Sequence, residues 1–378
     1  MKNSFGCAVT LTIFGESHGP AVGAVLDGLA PGLLVDEAAL AAQMDKRRAR
    51  GDGLSTGRTE PDAVRFLSGV LRRPDQPLRT TGSPLALIIE NTNTRPADYD
   101  KLKNTPRPGH ADYAAGAKYL GFQDARGGGH FSGRVTAALV AAGAICQSVL
   151  AAKGVRIGTH LARCAGIPDA PFAEGEAALA AQLDALNAQQ QFAVLDAAAG
   201  EAMQAAVRAA AAEGDSVGGV LETAVLGLPA GVGEPFFDSV ESVLAHLLFS
   251  IPAVKGVEFG AGFGMAELRG SAANDPFRLQ NGRVCTASNR NGGINGGVSN
   301  GMPLVLRSAV KPTPSIYKPQ QTVDLAAGCE TVLQLTGRHD PCILHRARVV
   351  QDSAVAFGLL DLLTQRFGTL WQREGENP

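Results

Sequence analysis

The apolar positions of this chain fall into short runs that suit strands and longer periodic stretches that suit helices. Residues 7–14 and 21–27 are apolar runs on either side of a GESHG turn, and they predict two strands. Residues 84–90 (PLALIIE), 217–229 (VGGVLETAVLGLP) and 303–310 (PLVLRSAV) predict three more. Asp36 is placed to cap a helix running to about residue 48, because EAALAAQMDKRR is rich in helix formers. A long helix is predicted over about 133–153, two helices split near Phe192 over 174–213, and another over 238–249. Asp352 is placed to cap a last helix through residue 366.

Strands and helices mix without the ~30-residue strand–helix–strand beat of a doubly wound sheet. No internal repeat or Pro/Ser-rich linker divides the chain. The pattern predicts one α+β domain over residues 1–378, with an Ala-rich helical segment at about 171–215.

Composition narrows the classes. The chain is 45% apolar and 19% charged, enough apolar material for a core. Lys plus Arg number 34 and Asp plus Glu 36, a net charge of −2, which argues against a dedicated nucleic-acid binder. One Trp and four Tyr leave few stacking platforms for bases. The six cysteines form no CxxC pair and are irregularly spaced, as reduced intracellular thiols are. Lys2 is followed by no long apolar run, so no signal peptide is expected. The most apolar segment, 135–152, is interrupted by Thr136, Gly143, Gln147 and Ser148, so no membrane span is expected. These readings predict a soluble cytoplasmic protein without nucleic-acid or membrane partners.

Glycine is in excess, at 46 residues or roughly 12% against ~7% on average. The glycines cluster with His and Arg in GESHG (15–19), MDKRRARGDGLSTGR (44–58), RPGHADY (107–113), RGGGHFSGR (126–134) and SNRNGGINGGVSNG (288–301). KPTPS (311–315) and GRHDPC (337–342) come after them. GESHG matches the elbow of serine hydrolases, but an elbow needs a helix directly after Ser17, and Pro20 and a strand-like run stand there. RGGGHFSGR reads equally as an anion-binding loop at a helix start and as a tight turn. Walker A and strict G-x-G-x-x-G motifs are absent, which disfavours a nucleotide site and with it a small-molecule kinase.

Arg47, Arg48, Arg50, Arg58, Arg107, Arg126, Arg134 and Arg338 all lie in or beside these segments. Arginine forks bind phosphate and carboxylate in bidentate fashion, so several on one pocket would suit a small polyanion. The run from Arg47 to Arg50 reads as well as a solvated helix end. Of seven histidines, His18, His110, His130 and His339 sit in the same segments and favour acid–base chemistry. No HExxH or paired Cys/His spacing occurs, and Cys342 with His345 makes only a weak pair, so no metal is expected.

Taken together, GESHG, KRR, RPGHADY, RGGGHFSGR, GGINGGVSNG, KPTPS and GRHDP resemble the chorismate synthase family, in whose order they stand from about residue 5 to 367. Each motif alone is weakly specific; the ordered set is highly specific. The resemblance implies a lyase that converts 5-enolpyruvylshikimate 3-phosphate to chorismate by 1,4-anti elimination of phosphate and one ring hydrogen. That is a step of the shikimate pathway of aromatic amino-acid biosynthesis. It implies a need for reduced FMN without net redox change, the flavin lending an electron transiently and helping to take the ring proton. No reductase segment is recognisable, so an external NAD(P)H-dependent (NADP-linked) reductase would supply the flavin. The implied fold is a β-α-β sandwich, helices enclosed between two antiparallel sheets, assembled as a homotetramer.

On the matching positions, the resemblance implies that Arg47, Arg107 and Arg134 hold the substrate, with Arg48, Arg58 and Ser132 as neighbours. His18 would protonate the departing phosphate beside Ser17, His110 would donate to the reduced flavin, and Asp340 would help the flavin lose a proton. His130, Phe131, Ser132, Gly296, Lys311, Pro312, Thr313, Pro314, Ser315 and Arg338 would contact FMN. Two positions depart from many members. A second Arg six residues after Arg47 is replaced by Gly53, leaving Arg50 as the candidate substitute, and His130 stands where many have Arg. The rival reading is a flavin- or anion-binding protein without catalysis, which has no need of His18, His110 and Asp340 together.

Overall fold

The computed structural model describes residues 2–57, 60–93, 104–337 and 339–373; Arg58 and Arg338 lie outside them. Two five-stranded sheets, antiparallel throughout, form the outer layers. The first is built from Ser4–Phe5, β1 (Thr10–Gly15), β2 (Ala21–Asp27), β3 (Val64–Ser68) and β4 (Leu85–Glu90), with β4 inserted between β2 and β3. The second is built from β5 (Arg156–Cys164), Ile167–Pro168, β6 (Gly219–Leu226), β7 (Val254–Phe259) and β8 (Leu304–Val310). There β8 lies between β7 and β6, and β5 pairs with the other side of β6.

Among the helices are α1 (Glu37–Arg47), α2 (Asp112–Tyr119), α3 (Thr136–Ala152), α4 (Glu176–Ala188), α5 (Ala197–Ala212), α6 (Val240–Ser250) and α7 (Leu344–Phe367). Helix α3 packs on β2 of the first sheet, α7 packs on β5 of the second, and the two helices pack on each other. This is the sandwich the resemblance implies. Twelve of the 17 residues of α3 are buried, spread around the helix, as an inner-layer helix requires. Gly143 sets the approach of the two helices: a Cβ there would stand 2.2 Å from the Ser353 Cβ. The segment Gly133–Ala152 is long and apolar enough, by length and composition, to cross a membrane. The interruptions at Thr136, Gly143, Gln147 and Ser148 therefore do not exclude it on that ground. Its place between the sheets accounts for the apolarity, with 72% of its most apolar window buried.

The predicted strands at 7–14, 21–27, 84–90, 217–229 and 303–310 correspond to β1, β2, β4, β6 and β8. Asp36 caps α1, accepting from the Ala39 N–H at 2.9 Å. The Ala-rich segment is two helices, with Phe192 in the break. Strands β3, β5 and β7 escape the sequence pattern: each carries charges that break the apolar run. Asp352 is a correction. It lies inside α7, eight residues past the start, and accepts from the Thr159 hydroxyl at 2.6 Å in the core. Burial raises its pKa above the usual carboxylate range.

Candidate active site

Where α3 begins, two adjoining cavities of ≈ 260 and ≈ 790 Å³ share His110, Ser132, Thr313, Ser315 and Asp340 in their walls. A glycine turn shapes one side. Gly127, Gly128 and Gly129 hold φ of 60°, 87° and 53°, values that favour glycine. Side chains have no room there either: a Cβ on Gly127 would stand 2.4 Å from His18 Cε1, and one on Gly128 2.9 Å from His110 Cε1. The turn thus lies against both imidazoles. Its Gly129 carbonyl accepts the Ser17 N–H at 3.1 Å, and His130 Nδ1 donates to the Gly15 carbonyl at 2.8 Å. Ser17 and His18 are both buried. Ser132 then caps the helical turn before α3, accepting from the Arg134 N–H at 3.3 Å.

The arginines are held in place by protein partners. Arg47, at the end of α1, donates from Nε to Thr136 Oγ1 at 3.1 Å. Its Nη2 donates to the Gly133 and Arg134 carbonyls at 2.8 and 3.2 Å, and its Nη1 to Asp62 at 3.2 Å. Arg134 donates from Nε to Asn91 at 2.8 Å and from Nη1 to Asp62, and its Nη2 pairs with Glu60 at 3.0 Å. Asp62 therefore bridges two buried arginines. Burial pulls the Arg47 pKa below its ordinary value, and Asp62 offsets part of that.

Arg107 and His110 share a second carboxylate. Asp112, in the first turn of α2, accepts from Arg107 Nε and Nη2, each at 2.8 Å, and meets His110 Nδ1 at 2.6 Å. Burial alone would raise its pKa. The bonds from Arg107 and His110 prevail and hold it well below the usual carboxylate range. The His110 Nε2 has no partner among the described residues. Across the cavities, Lys311 Nζ donates to the Gly109 carbonyl, and Asp340 accepts from the Thr56 N–H at 2.8 Å. His339 also lines the smaller cavity, and its burial lowers its pKa. The arrangement offers an arginine-walled space for a polyanion, an apolar space beside it, and imidazoles and a carboxylate for proton transfer.

A family model described as chorismate synthase matches residues 9–364. The chain belongs to the chorismate synthase family. A chorismate synthase of Thermococcus kodakarensis is 45% identical over 361 residues, covering 96% of this chain and 97% of that one. One of Aeropyrum pernix is 46% identical over 367 residues, covering 97% and 93%. One of Dehalococcoides mccartyi is 44% identical over 364 residues, covering 96% of each. A crystal structure of chorismate synthase matches this fold with a TM-score of 0.73 at 27% identity, covering 96% and 94% of the two chains.

Of the residues that chorismate synthase motifs nominate, Ser17, Arg47, Arg48, Arg107, His110, Ser132, Arg134, Thr313, Ser315 and Asp340 line the smaller cavity. His130, Phe131, Lys311 and Pro314 line the larger. His18 stands behind Gly127 and is in neither wall, and Pro312 is in neither. Gly296 is not brought to the cavities. It sits in a hairpin whose Gly297 carbonyl accepts the Val240 N–H at 2.9 Å, at the start of α6. The cavity wall is met in the second half of α6, from His246 onward, ~9 Å along the helix from Val240. Arg50, the candidate substitute for the arginine absent at Gly53, lines neither cavity. It pairs with Asp45 at 2.6 Å and Gln190 at 3.2 Å.

Sequence reasoning missed Glu60, Asp62, Asp112 and Arg346. The three acids had a usable signal. Buried arginines need counter-ions, and the TEPD and GHAD stretches place acids directly beside the arginine motifs.

Proposed function

We propose that this lyase of the chorismate synthase family works in the two adjoining cavities. The smaller takes the phosphate and carboxylates of 5-enolpyruvylshikimate 3-phosphate, and the larger takes FMN. The observation that carries the reading is the shared wall. His110, Ser132, Thr313, Ser315 and Asp340 face an arginine-lined space on one side and an apolar space on the other.

FMN suits the larger space. Thr313 Oγ1 is a buried hydroxyl with no partner among the described residues. Lys311 brings an ammonium to the same segment, and Phe131, Leu139 and Ile251 supply apolar surface. When bound in reduced form, FMN supplies reversible electron donation and accepts a ring proton. This chain's residues do the rest. Arg47, Arg107 and Arg134 each keep one Nη1 hydrogen uncommitted, on guanidiniums already oriented by Asp62 and Asp112. Such donors meet developing phosphate charge without reorganising. Ser17 lines the smaller cavity, and His18, behind Gly127, would supply a proton to the departing phosphate by way of that wall. His110 presents its Nε2 for proton transfer, and Asp112 fixes its ring through Nδ1. Asp340 stands in both walls, ready to take a proton. Pro312 and Gly296 have no part in this assignment, while the external NAD(P)H-dependent reductase, the homotetramer and the cytoplasmic setting remain part of it.

The elimination uses no electrons overall, so one reduced FMN should serve many turnovers. The experiment supplies limiting photoreduced FMN and excess substrate without oxygen, and counts phosphate and chorismate. Product in large excess over flavin, with none from oxidised FMN, is the expected result. Product capped at one per flavin would mark a true oxidoreductase. No product at all would favour a binding protein without catalysis.

A further inference from the structure

The arginines of the smaller cavity differ in how much donor capacity the protein has already used. Arg47 and Arg134 have all three nitrogens engaged by protein partners. Arg107 is engaged at all three as well, by Asp112 and Ser315. Arg346, in the first turn at the cavity end of α7, is different. Its Nε donates to the Arg47 carbonyl at 2.8 Å, and its Nη1 donates to both oxygens of Asp340 at 2.9 and 3.0 Å. Its Nη2 group has no partner among the described residues. The side chain lines the smaller cavity and keeps 18% exposure.

A guanidinium held on two sides leaves its third nitrogen in a fixed direction, with two N–H donors and a charge that Asp340 only partly offsets. Four more arginines, Arg47, Arg48, Arg107 and Arg134, line the same space with the carboxylates of Glu60, Asp62 and Asp340, so cations outnumber acids in the wall. With cations in excess, a carboxylate or phosphate oxygen would find paired donors there.

We propose that Arg346 is a further substrate-anion ligand of this site, its Nη2 taking a carboxylate or phosphate oxygen while its other donors hold Asp340 and the Arg47 carbonyl. This rests on the functional reading above. It adds a consequence: the same side chain that meets the substrate fixes Asp340, which also accepts from Thr56 in the 48–57 loop. Substrate contact, loop position and carboxylate position are thereby joined in one residue.

The test uses the full chain and titrates the substrate and FMN separately by calorimetry, for wild type, Arg346→Gln and Arg346→Lys. Arg346→Gln should weaken substrate binding roughly 10- to 100-fold, the size of a lost hydrogen bond to a charged group, with FMN affinity unchanged. Arg346→Lys keeps the ion pair with Asp340 but loses the fork. It should fold even if the glutamine variant does not, and should weaken the substrate by a smaller factor. Substrate affinity equal to wild type in the lysine variant and in any folded glutamine variant would overturn the proposal. So would an equal loss for substrate and FMN, which marks a merely structural residue. Wild type is assayed for turnover first. A wild type without turnover sinks the functional reading, whereas active wild type with an unaffected Arg346→Gln sinks only this inference.

Discussion

Two histidine–aspartate pairs in this molecule are nearly identical at the first ring nitrogen and opposite at the second. His110 Nδ1 meets Asp112 at 2.6 Å, and His160 Nδ1 meets Asp169 at 2.7 Å. The His160 pair is sealed: His160 Nε2 meets Glu222 on β6 at 3.1 Å, and both partners of the first contact are at most 1% exposed. Asp169 also accepts N–H groups from Leu195 and Asp196 at 2.7 and 2.9 Å, tying the α4–α5 connection to β5. The His110 pair is open, its Nε2 without a partner among the described residues and its ring in two cavity walls. A carboxylate beside an imidazole orients the ring in either case. An uncommitted nitrogen facing space is the feature that separates a site from a structural clasp.

The sharpest way to break that comparison is to remove each ring. His110→Ala should keep the fold and lower turnover by about a hundred- to ten-thousand-fold under saturating reduced FMN, the range for a positioned acid–base group. Single-turnover kinetics without oxygen would read it. Unchanged turnover would take His110 out of the mechanism and leave two structural pairs.

A smaller but still large effect should come from Asp62→Asn. The substitution leaves Arg47 and Arg134 buried without their shared charge, and Glu60 remains for only one of them. Breaking a buried pair by removing one partner costs about 3–5 kcal/mol. Urea titration at neutral pH should show the loss. A stability within error of wild type would mean that the arginines are held by their carbonyl and hydroxyl acceptors alone.

The sequence made these regions unequally legible. Six of the seven motif segments place residues in the cavity walls, because glycine turns and polar side chains must recur together where a chain wraps an anion. The seventh, around Gly296, folds to the far end of α6, and only the tertiary path of that helix decides this. His160, Asp169 and Glu222 gave no sequence signal, since their partnership depends on β5–β6 pairing and on a connection 26 residues downstream of Asp169. The fold class was readable from runs such as PLALIIE. The start of α7 was not, because Asp352 looks like a cap and is instead a buried acceptor for Thr159. Its partner lies 193 residues away, beyond any local pattern.

The smallest effect concerns the sealed pair, and its sign is the informative part. Burial pushes the His160 pKa down, but the hydrogen bonds and charges of Asp169 and Glu222 outweigh it, so the net shift is upward. Arg307 on β8 sits behind Glu222 at 4.0 Å and is itself paired with Glu258 at 2.9 Å, so it opposes the shift only weakly. A histidine whose folded pKa is raised contributes stability in full below its unfolded pKa of about 6.5 and loses it as pH rises through the folded value. His160→Gln removes that proton. It should therefore cost about 1–3 kcal/mol near the acid side of this window, and progressively less as the pH is raised. Paired urea titrations of wild type and variant across the window would read the difference, and turnover should be unchanged. A stability gap that stays constant, or widens toward alkaline pH, would show that His160 is held neutral and that one of its two carboxylates carries the proton instead.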